Sequence, residues 1–138
     1  VRPCIASSWI DSVFKAAKDN GAAILAVPVT STLKRVKDNR EIQETVSREN
    51  LWEAQTPQVF RRDLLVKAFA ENPQASIATD EAQLVEQIGH PVTVVKGSPS
   101  NMKITTKDDL RLAAEVLKFL PKPQRQGPAH PFGDDHWR

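Results

Sequence analysis

Cysteine is almost missing from this 138-residue chain: Cys4 stands alone, so no intrachain disulfide can form. A reducing cytoplasm is the expected setting. Long hydrophobic runs are missing too. No apolar stretch approaches the ~20 residues that cross a bilayer, and no signal peptide is visible, so no membrane partner is expected. An excess of charge of one sign is also lacking. Nineteen Lys and Arg against seventeen Asp and Glu leave a net charge of +2, too little to argue for a nucleic-acid or membrane surface. There is no glycine-rich phosphate loop of either common kind. His90, His130 and His136 are scattered, and no Cys or His falls at ligand spacing, which argues against zinc. No nucleophile–base pair can be read from the residue order.

What is present fits one globular domain. The chain is 40% hydrophobic and 26% charged, and its length allows burial of roughly two thirds of the unfolded surface. It opens on Val1-Arg2-Pro3-Cys4-Ile5 without a methionine, which reads as the end of an element already under way.

The spacing predicts a helix over 8–20, with Ser8 and Asp11 as a cap arrangement, Ile10, Val13, Phe14 and Ala17 on one face, and Gly21 as the stop. Residues 22–29 form a short, continuously apolar run, as in strands covered on both faces, with Pro28 marking its end. Residues 30–49 are polar and charged. They read as two short strands around Lys37-Asp38-Asn39-Arg40, a hairpin with too little apolar surface to stand alone. A strand over 51–55 is expected to end at Thr56-Pro57. Helices follow over 61–71, with Leu64, Leu65, Ala68 and Phe69 inward, and over 80–88, with Thr79 as N-cap and acids in the first turn. A strand over 92–96 precedes the clearest helix, 106–120. That helix is capped by Thr106 and Asp109 and is apolar along Leu110, Leu112, Ala113, Val116, Leu117 and Leu120. Four of the ten prolines fall in the last eighteen residues, so 121–138 reads as a disordered tail. Strands alternating with helices predict an α/β domain on a parallel or mixed sheet.

Several residues are candidates for phosphate chemistry, each beside a plainer role. Arg48 offers a planar fork that grips phosphate at two points, or is a solvated charge on a hairpin. Lys103, between Met102 and Ile104, is a phosphate-positioning point charge or an ordinary outward lysine. Thr79 and Asp80 open a helix, where capping alone accounts for both. Thr32 lies beside Lys34 and Arg35, and Thr56-Pro57 is most simply a turn.

The segments Val1–Cys4, Ala26–Lys34, Thr45–Arg48, Leu51–Gln58, Thr79–Ala82 and Asn101–Thr105 resemble, in that order, the 2-C-methyl-D-erythritol 4-phosphate cytidylyltransferase family. The resemblance covers about residues 1 to 120. It implies a partial Rossmann-like nucleotidyltransferase fold (glycosyltransferase-A-like), a mixed sheet with flanking helices and a protruding β-arm at about 28–50. It also implies transfer of a cytidyl group from CTP to methylerythritol phosphate, with Mg²⁺ and release of pyrophosphate, for non-mevalonate isoprenoid synthesis. By the same resemblance Arg48 and Lys103 position the substrate phosphate for attack. Arg2, Thr32, Thr56, Thr79 and Asp80 bind substrate, with Arg2 matching the arginine just after the family's metal-binding Asp. The arm crosses to a second subunit in a homodimer. The family's glycine-rich CTP loop and its Mg²⁺-binding Asp, expected just upstream of Val1, are not in the sequence, so the 138-residue chain alone is expected to be inactive or nearly so. Two alternatives stay open: a cytidylyltransferase for another polyol phosphate such as ribitol 5-phosphate, and a non-catalytic dimerisation module.

Overall fold

The computed structural model describes residues 1–73 and 77–121; the expected tail lies, from residue 122, outside the described residues. The element order is α1 (Ser7–Asn20), β1 (Ala22–Pro28), β2 (Leu33–Val36), β3 (Ile42–Val46), β4 (Trp52–Phe60), α2 (Arg62–Glu71), α3 (Glu81–Gln87), β5 (Thr93–Lys96) and α4 (Lys107–Phe119).

The apolar run of β1 takes the centre of the main sheet. Six of its seven residues are buried, because β4 pairs with it antiparallel on one side and β5 parallel on the other. The sheet is therefore mixed, and helices cover both faces. On one face Val13 and Ala17 of α1 pack on Ala23 and Leu25; on the other Leu64 and Ala68 of α2, with Leu84 and Val85 of α3, gather round Ala22. Alternation of side chains along β1 divides its residues between these two cores. Gly21 ends α1 with φ of 92°, a left-handed conformation open to glycine.

The hairpin expected between 30 and 49 forms its own two-stranded sheet of β2 and β3. Its turn runs through Lys37 and Arg40, which takes φ of 67°. Val29 N–H donates to Leu51 O at 3.0 Å, closing the arm at its root. No residue of β2 or β3 is buried.

Several local expectations are corrected. The N-cap of α1 is Ala6, with no side-chain cap; Ser8 lies inside the helix, where its carbonyl accepts from Ser12 Oγ at 2.8 Å. Asp80, not Thr79, caps α3, accepting from the Gln83 N–H. The strand expected to stop at Gln55 runs on to Phe60. Its register slips between the Leu25–Gln55 and Ile24–Gln58 pairs, so Thr56 and Pro57, joined by a cis peptide bond, sit in a bulge. Proline needs no ladder hydrogen bond there, so it does not end the strand. Phe14 and Phe69 are not inward but half exposed, and of the apolar residues of α4 Ala113 alone is buried, while Leu110, Leu112 and Leu117 are open. The Thr106–Asp109 capping box forms as expected.

Candidate functional site

Three segments meet at the end of the sheet: the N-terminal stretch before α1, the β4 bulge, and the loop from Gly97 to Thr105. Arg2 is half-buried between them. Its Nη1 donates to Asn101 O at 2.5 Å and its Nη2 to Ala54 O at 3.3 Å. Partial burial pulls the Arg2 guanidinium below its usual range, and the nearby Glu53 charge opposes that pull. The Gly97–Thr105 loop is pinned from two sides. Ile104 N–H donates to Val1 O at 2.8 Å, and the fully buried Asn101 donates through Nδ2 to Thr56 O at 2.8 Å and Gln55 Oε1 at 3.3 Å. Gln55 in turn donates to Ser98 O at 2.9 Å.

These ties shape a cavity of about 370 Å³ lined by Val1, Arg2, Ala54, Thr56, Gln58, Thr79, Asp80 and Lys103. Five of the seven candidate residues therefore share one cleft, although they come from four separate stretches of sequence. Lys103 is exposed, with Met102 and Ile104 partly buried on either side. Thr56, in the bulge, is exposed and lines the same cleft as the two cations.

Part of the lining is a network of amide and carboxylate groups. Asp80 accepts from Gln83 N–H at 3.0 Å and from Gln58 Nε2 at 2.8 Å, while Gln58 Oε1 accepts from Ala82 N–H at 3.2 Å. Thr79 Oγ donates to Gln83 Oε1 at 3.2 Å, which leaves its oxygen free to accept from a ligand hydroxyl. The cleft thus combines two cations with oriented hydrogen-bonding groups, a fit for an anionic polyol.

Thr32 and Arg48 are not in this cleft. Both are exposed on the arm, where Arg48 Nη1 donates to Thr30 O. Sequence reasoning noted Gln55, Gln58 and Asn101 only as parts of longer segments. The doubled glutamine flanking Thr-Pro was the available signal for Gln58; nothing in a pattern announces a buried asparagine.

Against known proteins, the profile of the family described as IspD, 2-C-methyl-D-erythritol 4-phosphate cytidylyltransferase, matches residues 1–118. The chain belongs to the IspD family. A family member from Alkaliphilus oremlandii, named 2-C-methyl-D-erythritol 4-phosphate cytidylyltransferase, is 46% identical over 118 residues, covering 85% of this chain and 50% of the relative. Among solved structures, the IspD-family protein of Thermus thermophilus aligns with a TM-score of 0.77 and 36% identity, over 85% of this chain and 58% of that one. The protein from Francisella tularensis aligns with a TM-score of 0.76 and 40% identity, over 84% and 55%. The α/β mixed sheet with flanking helices is thus the IspD fold in part, for the chain spans about half the length of the relatives it matches. No helix among the described residues is long and apolar enough to cross a membrane.

Proposed function

We propose that this chain forms the acceptor-phosphate side of a cytidylyltransferase that joins CTP to 2-C-methyl-D-erythritol 4-phosphate and releases pyrophosphate. The observation that carries the reading is the convergence of Arg2, Lys103, Thr56, Thr79 and Asp80 on one cleft. An oxygen of the substrate phosphate attacks the α-phosphorus of CTP. One P–O bond forms, the bond to the β-phosphate oxygen breaks, and pyrophosphate leaves with that electron pair. No proton need be removed from a phosphate dianion, so the protein has little covalent work to do and acts through position and charge. Arg2 and Lys103 hold the acceptor phosphate and lessen the repulsion between two anions. Thr56, Thr79 and the Gln58–Asp80 network receive the polyol hydroxyls.

Mg²⁺ belongs to the same proposal, but the described residues do not fit it. They hold no cluster of three or more His, Cys, Asp or Glu, and both Asp80 oxygens already accept from Gln58 and Gln83.

The arm is read as a subunit bridge. A two-stranded ribbon with exposed Val36 and Ile42 has too little apolar cover to be stable by itself. In a homodimer it would rest on the partner and carry Thr32 and Arg48 to the partner's cleft, each cleft returning the same. A cytoplasmic location completes the proposal.

The test supplies CTP and Mg²⁺ with either methylerythritol phosphate or ribitol 5-phosphate to the chain and to a full-length parent that contains it. Pyrophosphate release by the parent with the first acceptor, and little or none by the chain alone, is expected. A preference for ribitol phosphate would replace the substrate. Release with neither acceptor would leave the dimerisation module as the better reading.

A further inference from the structure

Among the described residues, Asn101 is the one fully buried polar residue beside the cleft, and its burial is unfavourable as a packing choice. Its Oδ1 has no hydrogen-bond partner, a cost that an apolar side chain of similar size would avoid. Its backbone N–H donates within the loop to Ser98 O at 3.0 Å, and its remaining groups reach other segments: the backbone carbonyl accepts from Arg2, and Nδ2 donates to Thr56 O and Gln55 Oε1. Gln55, 5% exposed, extends the chain of contacts to Ser98 O. Gly97 is part of the same unit. Its N–H donates to Ala26 O at 2.8 Å, and a Cβ there would run into Gln55 Oε1. The three segments that supply Arg2, Thr56 and Lys103 are thus joined at one asparagine, two residues before Lys103.

We propose that Asn101, braced by Gln55, is a positioning residue that fixes Arg2 and Lys103 relative to Thr56 for a polyol phosphate. It touches no ligand itself and acts through the residues it ties. The inference deepens the phosphate-binding reading and rests on it. A merely structural asparagine would hold the fold without affecting the cleft selectively.

Asn101→Ala and Gln55→Ala in the 138-residue chain separate these roles, read by amide hydrogen exchange and by titration with methylerythritol phosphate followed by NMR. The expected result is local: the Ile104 amide exchanges about 10-fold faster or more while amides of β1 keep their protection, and affinity for the phosphate ester falls about tenfold. Faster exchange with unchanged affinity makes Asn101 structural only and overturns the proposal. So does unchanged exchange, loss of protection in β1 as well, or failure of both variants to fold. A wild-type chain that shows no saturable shift refutes the phosphate reading instead, and the exchange comparison still decides whether Asn101 holds the Lys103 loop.

Discussion

The body and the arm place cations in opposite ways. In the body, Arg2 is half-buried and held by two backbone carbonyls, and Lys103 sits on a loop pinned from both sides. In the arm, Arg48 and Thr32 ride on a ribbon without a single buried strand residue. What holds that ribbon beyond its ladder are exposed pairs such as Arg35–Glu44 at 2.6 Å and Lys34–Thr45 at 2.6 Å, each worth little in water. A cation held by buried neighbours is ready before substrate arrives. A cation on an unsupported ribbon gains a fixed place when the ribbon docks. In the proposed assembly, Arg2 and Lys103 of the phosphate grip are placed by the fold itself and Arg48 would be placed by docking of the arm.

The largest expected effect tests the body as scaffold. Leu25→Ala, at a fully buried position between α1 and the sheet, is expected to cost about 2–5 kcal/mol in denaturant unfolding. Ile42→Ala on the arm, at a residue 62% exposed, is expected to change the same stability by less than about 0.5 kcal/mol. Equal losses would break the contrast.

Next come the cations. Lys103→Ala and Arg48→Ala in the full-length parent are each expected to lower kcat/KM about 10²-fold or more. The two differ on mixing. If arms cross between subunits, one site of each heterodimer regains both cations, and an equimolar mixture recovers about one quarter of wild-type activity. No recovery in subunits shown to exchange would confine the arm to its own cleft. Ile42→Glu is expected to raise the dimer dissociation constant in sedimentation while leaving the circular dichroism of the body unchanged.

The smallest effect lies at the start of α4. Hydrogen bonds from Thr105 and Thr106 hold Asp109 down to about 2, from an ordinary value of 3.8. The folded pKa lies below the unfolded one, so this stabilisation is complete above about pH 4 and is lost as pH falls towards 2. The group is exposed, so the effect is small. Thermal unfolding of Asp109→Asn between pH 5 and 2 is expected to lose that part of the acid dependence, and an unchanged slope would exclude it.

Sequence reasoning succeeded where the cause is local. The apolar run of β1 could be a two-sided strand because nothing polar interrupts it, and the Thr106–Asp109 spacing makes its cap within one turn. It failed where the cause lies elsewhere in the chain. Thr56-Pro57 reads as a stop because a missing N–H breaks a regular ladder; the bulge that removes the need for that N–H depends on the pairing register with β1. Periodicity identified the leucines of α4 as apolar, but it carries no information on what covers them. The family resemblance marked Arg2, Thr56, Thr79, Asp80 and Lys103, whereas their shared cleft is made by long-range contacts, those of Asn101 among them. Nothing local distinguishes that asparagine from one in a solvent turn.

Cys4 is fully buried, and its thiol donates to Ala113 O, the buried point of α4, at 3.5 Å. Being the chain's sole sulfhydryl, it doubles as a built-in probe. A thiol-specific dye reacts only when the packing around Cys4, α4 included, opens, so labelling speed counts such openings without any engineered tag.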